Sequence, residues 1–405
     1  MKILVQKFGG TSLDSPEKRN MVVDRIENAK KLGYFPIIVV SAIGRCGDPY
    51  STDTLVNFAR SVGADPNPRE LDLIMSCGEI ISCVILSNTL KKKGYESKVF
   101  SGGQAGIITD ENFGDAEIKK VDTSMLTKCI KENLIPIVAG FQGISESGSI
   151  TTLGRGGSDV TALVIAEALN AEMVEVYTNV DGVMTADPSI VPDAKVIDTM
   201  FYNEVFQMAE YGAKVIHPRA VEVAMRSNIP LMIKNTLNKT HGTLITSYDK
   251  SRRYINKGKD RIINAIAQIA NRTQFKVIFD GSAGSNERDD ILFKAIAENG
   301  ISVDMINIFP EVKIFIVDES QDEKLENRLK LLKYNLEVTR NCTKVTIIGN
   351  KMQGIPGVIS KLVEALNESG IDILQTSDSH TTISCLLKSE FANTAINNLH
   401  KGFSL

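Results

Sequence analysis

The sequence has little with which to build a metal site or a disulfide framework. Its 405 residues include six cysteines, which form no C-x-x-C pair, and four histidines, which are far apart along the chain. Scattered cysteines of this kind are typical of reduced thiols in the cytosol rather than of disulfides or a zinc cage. We therefore expect a cytoplasmic protein that has no metal site built from its own side chains.

Long apolar runs and an excess of positive charge are also absent. No apolar run approaches the ~18 residues that a membrane-spanning helix needs, and the N-terminal residues lack the apolar region and cleavage site of a secretory signal. The formal net charge is -3 at pH 7, whereas binding to nucleic acid needs a basic surface. These absences argue against an integral membrane protein, a secreted protein and a nucleic acid-binding protein.

What is present is an alternation of apolar strands and helices in the first part of the chain. Residues 3–5, 36–40 and 135–139 are apolar runs of strand length, and residues 16–32 are a predicted helix that begins with Pro16. Alternating strands and helices are typical of an α/β fold with a largely parallel sheet. At about 150 residues per domain, the chain length allows two or three domains.

The C-terminal part has a different organisation. A polar, basic stretch at 247–261 is interpreted as a linker. Residues 295–301 recur in similar form at 365–371, which predicts two α+β units of β-α-β-β type, with chance similarity of two amphipathic helices as the alternative. The predicted boundaries are 1–246 for the α/β domain, 247–261 for the linker, 262–338 and 339–405 for the two units, with the strand near 262–270 assignable to the second unit.

A glycine-containing turn follows the first predicted strand, in the sequence Lys-Phe-Gly-Gly-Thr-Ser at 7–12. Gly9 and Gly10 allow backbone N–H groups to approach an anion, and the start of the next helix favours negative charge. Lys7 can neutralise a phosphate there. The segment is not a Walker A loop, because G-x-x-x-x-G-K-[ST] occurs nowhere in the chain. An anion-binding loop and a tight turn that merely requires glycine both remain open.

A second glycine-rich segment surrounds Arg155 and ends in Ser158 and Asp159, just before an apolar helix predicted at 160–169. Helix capping explains Ser158 or Asp159. It does not explain an arginine among glycines, where a guanidinium can bind a carboxylate through two hydrogen bonds. This segment therefore predicts a carboxylate-binding site.

Two further segments are ambiguous when taken alone. Glu79 precedes a helix predicted at 80–92, where the helix dipole by itself favours a glutamate, and recognition of a substrate ammonium group is the alternative. Residues 177–188 follow a strand and are rich in turn-forming residues. Ligands of parallel sheets bind at the carboxyl ends of the strands, so this loop is a candidate binding loop.

In combination, these segments resemble the aspartate kinase family of the amino-acid-kinase superfamily. The resemblance is carried by Lys-Phe-Gly-Gly-Thr-Ser at 7–12, Gly-Phe-Gln-Gly at 140–143, Thr-Leu-Gly-Arg-Gly-Gly-Ser-Asp at 152–159 and Val-Asp-Gly-Val-Met-Thr-Ala-Asp-Pro at 180–188. The C-terminal repeats resemble the paired ACT regulatory domains of the same family. Segments at 47–50, 339–342 and 378–382 are most similar to its monofunctional, diaminopimelate-sensitive isozymes.

The resemblance implies an amino-acid-kinase fold with a mainly parallel central sheet, followed by two ferredoxin-like ACT domains. It implies ATP-dependent phosphorylation of the β-carboxylate of L-aspartate to 4-phospho-L-aspartate, with Mg²⁺ carried by the nucleotide. This is the first step towards diaminopimelate and lysine, threonine and methionine. It also implies an amino-acid effector (diaminopimelate or lysine, or threonine) and a homodimer or dimer of dimers formed through the ACT domains. The alternatives are another amino-acid kinase, of glutamate or acetylglutamate type, and an inactive amino-acid sensor.

Site residues follow from the same resemblance. The predicted catalytic residues are Lys7, Arg155 and Asp159. The residues predicted to bind the nucleotide are Lys7, Phe8, Gly9, Gly10, Thr178, Asn179, Met184, Thr185, Ala186, Asp187, Pro188, Ser189 and Lys214. The residues predicted to bind aspartate are Thr52, Glu79, Arg155, Gly156, Gly157 and Ser158. The residues predicted to bind the effector are Met305, Ile306, Asn307, Gln375, Thr376 and Ser377.

Three positions depart from the family pattern. The family commonly has aspartate, tyrosine and arginine where this chain has Asn179, Met184 and Ser189. All three positions concern the nucleotide, so the departures bear on ATP affinity and leave the predicted aspartate site unchanged.

Overall fold

The computed structural model divides the chain into two compact units. It describes residues 1–213, 215–247, 262–279, 285–349, 352 and 355–405. The first unit comprises Met1–Val183, Val196–Ala209 and residues 215–247, and the second comprises Met184–Lys195, Glu210–Ala213 and the described residues from 262 onwards. The predicted α/β domain therefore differs from the first unit by two internal segments. Lys214 and all but the first residue of the predicted linker lie outside the described residues.

The first unit is built on an eight-stranded sheet and a smaller four-stranded sheet. Its strands are β1 (Lys2–Phe8), β2 (Tyr34–Val40), β3 (Ser97–Phe100), β4 (Ile107–Thr109), β5 (Ile118–Val121), β6 (Ile135–Ala139), β7 (Gln142–Ser145), β8 (Ile150–Thr152), β9 (Met173–Thr178), β10 (Thr199–Phe201), β11 (Leu231–Asn235) and β12 (Thr243–Thr246). Its helices are α1 (Pro16–Lys31), α2 (Thr52–Arg60), α3 (Pro68–Lys92), α4 (Ser124–Lys131), α5 (Gly157–Ala168), α6 (Tyr202–Glu210) and α7 (Pro218–Ser227).

The eight-stranded sheet confirms the predicted α/β class. Its strand order is β10-β12-β11-β9-β1-β2-β6-β3, and every adjacent pair is parallel except β11 with β12. The central strands β1, β2 and β9 place their carboxyl ends at the same edge of the sheet, which is the edge where parallel sheets bind ligands.

Local signals in the sequence explain how α1 begins. The Ser15 side chain accepts a hydrogen bond from the backbone N–H of Lys18 at 3.3 Å, and Pro16 occupies the first helical position. Its apolar side packs into a core that includes Val22, Ile26 and Phe8. Burial of each such side chain contributes roughly 1.5–3 kcal/mol.

The helix α3 begins earlier than the sequence analysis predicted. It starts at Pro68, with the Asn67 side chain accepting a hydrogen bond from the N–H of Arg69 at 3.0 Å. By length and composition this helix could cross a membrane, because an 18-residue window has a mean hydropathy of 1.7. Core helices of soluble proteins meet the same criterion, and α3 carries two buried carboxylates, Asp72 and Glu79.

Asp72 joins α3 to the four-stranded sheet, whose order is β5-β4-β7-β8. Its carboxylate accepts hydrogen bonds from the backbone N–H of Gly114 at 3.0 Å and from the N–H and hydroxyl of Thr152 at 2.7 and 2.8 Å. Thr152 lies immediately before the Arg155 segment. Asp72 therefore holds the backbone in position just before the segment that contains Arg155.

Replacement of Asp72 with alanine is expected to lower the free energy of unfolding by about 2–4 kcal/mol, because buried donors lose their acceptor. Urea unfolding followed by circular dichroism measures this loss. Asp65→Ala is the matched control, because that side chain is 92% exposed. Equal stability of the two variants would contradict a supporting role for Asp72.

The second unit contains a six-stranded sheet with helices. Its strands are β13 (Ile263–Ile278), β14 (Asp304–Ile308), β15 (Val312–Asp318), β16 (Asn335–Gly349), β17 (Gln375–Asp378) and β18 (Thr382–Lys388). Its helices are α8 (Ser285–Glu298), α9 (Glu319–Leu331), α10 (Val358–Asn367) and α11 (Ala392–Gly402). The strand order is β14-β15-β13-β16-β18-β17.

Two long antiparallel strands, β13 and β16, run through both halves of this sheet. The first half of β13 pairs with Lys344–Gly349, and its second half pairs with residues 335–342, with register shifts between the halves at Ile269 and Arg272. The strand near 262–270 therefore lies beside the C-terminal half of β16, which precedes the second repeated helix. The predicted boundary at 338/339, between the two repeated α+β segments of the sequence, stays a prediction.

Candidate active site

Lys7 and Asp159 form an ion pair at the carboxyl edge of the eight-stranded sheet. Lys7 is the penultimate residue of β1, and Asp159 lies in the first turn of α5. Lys7 Nζ and Asp159 Oδ1 are 2.7 Å apart, and each side chain is only 13% exposed. The carboxylate therefore fixes where the lysine ammonium group lies beside the neighbouring cleft.

The two glycines after β1 serve different purposes. A Cβ on Gly10 would lie 2.1 Å from the carbonyl oxygen of Ala42, so the close approach of two backbones requires glycine there. A Cβ on Gly9 would meet only the carbonyl oxygen of Tyr177, at an ordinary 3.7 Å. The tight-turn interpretation therefore accounts for Gly10. The N–H of Gly9 donates to the Tyr177 carbonyl oxygen at 3.2 Å, and neither of the clefts described below includes Gly9 in its lining, so its role stays a prediction.

The segment around Arg155 is held by backbone constraints. Gly154 and Gly156 have φ angles of +69° and +73°, and a Cβ on Gly156 would lie 2.3 Å from that of His217. Gly156 is the N-cap of α5, so the capping interpretation of Ser158 and Asp159 was wrong: both lie inside the helix. Arg155 is exposed and makes no ion pair with any residue that the structure describes.

Glu79 lies in the middle of α3, so the helix-dipole explanation for it was wrong. Its side chain is 2% exposed. One carboxylate oxygen accepts a hydrogen bond from the N–H of Ala42 at 3.1 Å, and Oε2 is buried without a partner. Burial raises the pKa of Glu79 to about 8. A buried carboxylate with a free oxygen is suited to a cationic group of a ligand.

All of the predicted catalytic and aspartate-binding residues line one cleft of about 410 Å³. Thr52 takes part as the first residue of α2, which follows the N-cap Ser51. The predicted residues in its lining are Lys7, Gly10, Thr52, Glu79, Arg155, Gly156, Gly157, Ser158 and Asp159. The cleft thus combines three cations, Lys7, Arg45 and Arg155, with the buried carboxylate of Glu79. Phe8 is not in this lining, because its ring is fully buried and stacks on Tyr177 at 4.7 Å.

A second cleft, of about 420 Å³, lies beside the start of α1. Thr178 and Asn179, predicted for the nucleotide, line it. Thr11 and Ser12 also line it, and they belong to the Lys-Phe-Gly-Gly-Thr-Ser segment that the sequence indicated as a candidate anion-binding loop. The residues of this lining that were not predicted are Asp14, Lys18, Arg45, Thr236 and Leu237. The rule that ligands bind where parallel strands end indicates Thr236 and Leu237, because β11 ends at Asn235.

The same rule indicates most of the residues of the first cleft that were not predicted from the sequence. They are Ser41, Ala42, Gly44, Arg45, Cys46, Ser51, Asp53, Phe141 and Gly154. Five of them follow the carboxyl end of β2 at Val40. No residue pattern in that loop identifies a binding function, and only the sheet topology places it beside β1.

The predicted nucleotide loop at 184–189 belongs to the second unit, and neither cleft lining includes it. The Thr185 hydroxyl and His400 Nε2 are hydrogen-bonded at 2.9 Å. Ala186 is packed into the core of that unit. Asp187 accepts hydrogen bonds from the N–H and hydroxyl of Ser189 at 2.9 and 2.6 Å. The roles of Met184, Thr185, Ala186, Asp187, Pro188 and Ser189 stay predictions, as does that of Lys214, which is not described.

The predicted effector residues lie on the two edge strands of the six-stranded sheet, and a side chain joins these edges. Gln375 on β17 donates hydrogen bonds to the carbonyl oxygen of Met305 and, at 2.6 Å, to Asn307 Oδ1 on β14. Gln274 of the central strand β13 donates to Gln375 Oε1 at 3.0 Å. Ile306, Thr376 and Ser377 are exposed beside this contact.

The described residues contain no group of three or more His, Cys, Asp or Glu side chains placed to hold a metal ion. All six cysteines are free thiols. Besides the carboxylates Asp14, Asp53, Glu79 and Asp159, the two clefts are lined by cations and hydroxyls, which suit anionic ligands such as phosphates and carboxylates.

Known proteins are similar to this chain along its whole length. Residues 2–235 match the amino acid kinase family, and residues 337–401 match the ACT domain. The chain is 41% identical to aspartokinase 1 of Bacillus subtilis, with both chains covered completely. It is 36% identical to the aspartokinase of Geobacillus stearothermophilus, over all of this chain and 98% of that one.

Solved structures show the same similarity. The complex of Escherichia coli aspartokinase III with aspartate and ADP has a TM-score of 0.78 and 25% identity, and the complex of that enzyme with lysine and aspartate has a TM-score of 0.73. Both alignments cover the whole of each chain.

Proposed function

Because the chain belongs to the aspartokinases, ATP-dependent kinases of aspartate that ACT domains regulate, we propose that the cleft at Lys7 and Arg155 is where phosphate is transferred. The γ-phosphoryl group of ATP passes to the β-carboxylate of L-aspartate and gives 4-phospho-L-aspartate. The observation that carries this assignment is the joining, in one cleft, of an unpaired arginine, a paired lysine and a buried carboxylate with a free oxygen.

Each of these groups matches one part of aspartate. Arg155 binds the α-carboxylate, because a guanidinium can donate two parallel hydrogen bonds to it. Glu79 binds the ammonium group through its unpaired oxygen. Thr52, Gly156, Gly157 and Ser158 line the remaining wall. The β-carboxylate is then left free to attack the phosphoryl group.

The reaction needs no strong general base. A carboxyl group with a pKa near 4 is already ionised at neutral pH and is a nucleophile as it stands. The site must instead align two anions and offset their repulsion. Lys7 carries the positive charge for this purpose, and Asp159 holds it in position at 2.7 Å.

The second cleft is proposed to hold the nucleotide. Thr11, Ser12 and Thr178 offer hydroxyls, and Lys18 offers a cation beside the start of α1, where negative charge is stabilised. Mg²⁺ is proposed to arrive on the nucleotide phosphates. The described residues fit this arrangement, because the clefts provide cations and hydroxyls for the anionic nucleotide and no group of three or more His, Cys, Asp or Glu side chains among them could hold a bare ion.

The test is release of ADP by the purified enzyme with L-aspartate, with L-glutamate and with N-acetylglutamate. We expect turnover that requires aspartate and Mg²⁺, with product trapped by hydroxylamine as the hydroxamate. A preference for glutamate or N-acetylglutamate would contradict the assignment of the substrate, and no turnover with any of them would indicate an amino-acid sensor.

We also propose that diaminopimelate or lysine binds beside Gln375, where β14 and β17 meet. An amino acid needs partners for both its carboxylate and its ammonium group, and the exposed strand edges there offer backbone N–H and carbonyl groups. An effector acts at a distance only if it binds one conformational state better than another.

Gln375→Ala is expected to raise the effector concentration for half-inhibition at least tenfold, because the hydrogen bonds between the strand edges are lost. Activity without effector should stay within twofold of wild type. Gln321→Ala in α9 is the matched control, since that side chain makes no hydrogen bond to a described residue. Unchanged inhibition of the Gln375→Ala enzyme by both amino acids would place the effector elsewhere.

Association through the ACT domains, as a homodimer or a dimer of dimers, is part of the same proposal. The edge strand β14 and the turn after it expose Ile306, Ile308 and Phe309, with fractions of 44, 59 and 50%. Exposed apolar residues on an unpaired strand edge favour pairing with another chain. Sedimentation velocity measures the mass of the assembly in solution.

A cytosolic location is proposed from the six free thiols.

A further inference from the structure

Arg45 lines both clefts, and it is the one described residue that does so. If aspartate occupies the first cleft and the nucleotide the second, the transferred phosphoryl group must pass between them. Arg45 therefore lies where the attacking and leaving oxygens approach each other. No role was predicted for it from the sequence.

The backbone of Arg45 is held in place from both sides. The N–H of Gly44 donates to the carbonyl oxygen of Gly10 at 3.2 Å, which joins this loop to the glycine turn after β1. Asp48 Oδ2 accepts from the N–H of Arg45 at 2.7 Å, and the N–H of Asp48 donates to the Arg45 carbonyl at 2.9 Å. Gly44 has a φ of +88°, which a residue with a side chain adopts only with strain.

The side chain of Arg45, by contrast, is exposed and has no ion-pair partner within the described part of the chain. The other cations of the clefts have a carboxylate partner or a proposed ligand. Lys7 is paired with Asp159 and Lys18 with Asp14, each at 2.7 Å, and Arg155 is proposed to bind the α-carboxylate of the substrate. Arg45 is thus a cation without a carboxylate partner among the described residues, and its charge can add to that of Lys7 at the reacting group.

We propose that the Arg45 guanidinium binds the γ-phosphoryl group during its transfer, a role that rests on the proposed function. A β-carboxylate oxygen forms a bond to the γ-phosphorus while the bond from that phosphorus to the β,γ-bridging oxygen breaks. The electron pair leaves with ADP, and no proton is transferred. Negative charge spreads over the three other oxygens of the phosphoryl group, and the planar guanidinium can donate two hydrogen bonds to them.

The test measures phosphoryl transfer in a single turnover, with excess enzyme and the acyl phosphate trapped by hydroxylamine. Arg45→Ala is expected to lower the single-turnover rate about 10- to 100-fold, at the low end for such groups because the side chain is exposed. The KM values for ATP and aspartate should change less than about threefold. Arg45→Lys keeps the positive charge but cannot donate two parallel hydrogen bonds. Its single-turnover rate should therefore lie between those of the wild type and Arg45→Ala.

The matched control is Arg60→Ala, which removes an exposed arginine on α2 that lines neither cleft. Added guanidinium ion at millimolar concentration should partly restore the rate of Arg45→Ala and leave that of Arg60→Ala unchanged. A structural role alone would not produce this rescue. Thermal unfolding of both variants separates loss of folding from loss of transfer.

Two results would overturn the inference. One is a single-turnover rate in Arg45→Ala within threefold of wild type. The other is a slower rate that neither lysine at position 45 nor added guanidinium restores at all. Failure of the proposed function is distinguishable, because the wild-type enzyme would then form no acyl phosphate from aspartate in the first place.

Discussion

Replacement of Lys7 with alanine is expected to lower kcat by about 10²- to 10³-fold, because a preorganised cation that offsets transferring negative charge contributes roughly 3–4 kcal/mol. The neighbouring Asp159, now unpaired and only 13% exposed, adds a second effect. Its negative charge is left beside the incoming phosphates and repels them. Steady-state ADP release at saturating ATP and aspartate measures the change.

The control for this prediction lies on the same strand. Lys2→Ala also removes a lysine of β1, but that side chain is 62% exposed and its carboxylate partner, Glu172, is 3.6 Å away. Exposed pairs of this kind contribute about 0–1 kcal/mol, so Lys2→Ala should retain wild-type kcat. Turnover of Lys7→Ala within tenfold of wild type would remove Lys7 from the catalytic group.

Glu79→Gln is expected to lower kcat/KM for aspartate about 10²- to 10³-fold, because removal of one partner of a buried charge pair costs roughly 3–5 kcal/mol. The amide keeps an oxygen that can accept the hydrogen bond from the N–H of Ala42, so the fold is preserved. Glu70→Gln on the same helix is the control, since that side chain is 49% exposed. A normal kcat/KM in Glu79→Gln would place the ammonium group elsewhere.

The same substitution, although it lowers activity, should raise the free energy of unfolding relative to the wild type. Burial raises the pKa of Glu79 from 4.5 to about 8 in the folded protein. Between these values the unfolded chain releases the proton that the folded protein retains, so the stability of the wild type falls as pH rises. Because each pKa unit corresponds to about 1.4 kcal/mol, the loss is on the order of 4 kcal/mol by pH 8.

Glutamine does not titrate, so the stability advantage of Glu79→Gln should grow between pH 5 and pH 8. Urea unfolding of both proteins at several pH values measures it. For activity the sign is reversed: kcat/KM of the wild type for aspartate should increase towards pH 8 as Glu79 ionises in the free enzyme. A stability difference independent of pH would show that Glu79 is ionised throughout this range.

The amino-acid sequence by itself determined the elements whose signals are local. Ser15 and Pro16 predict the start of a helix, and in the structure α1 begins at Pro16. Apolar runs of strand length at 36–40 and 135–139 form parallel strands in the sheet. The repeat at 295–301 and 365–371 coincides with the ends of two helices of the second unit. These features depend on residues a few positions apart, which is the range of capping and periodicity.

The start of α3 also has local signals, Asn67 and Pro68, but the helix was predicted only from residue 80, just after Gly78 and Glu79. Gly78 lies inside the helix and is required by packing. A Cβ there would lie 2.7 Å from the Cβ of Ala42, a residue 36 positions earlier. A glycine inside a helix indicates a break or a close approach, and only the fold distinguishes the two.

Only the tertiary structure decided the environment of the candidate site. The burial of Glu79, and with it the raised pKa, depends on the loop after β2 reaching α3. The position of Arg45 depends on a hydrogen bond between Gly44 and Gly10. The segment at 184–195 follows β9 in sequence but packs in the second unit. Each of these features comes from contacts between residues far apart in the chain, whose energies no local pattern records. The sequence therefore determined which chemical groups are available, and the fold determined which of them meet.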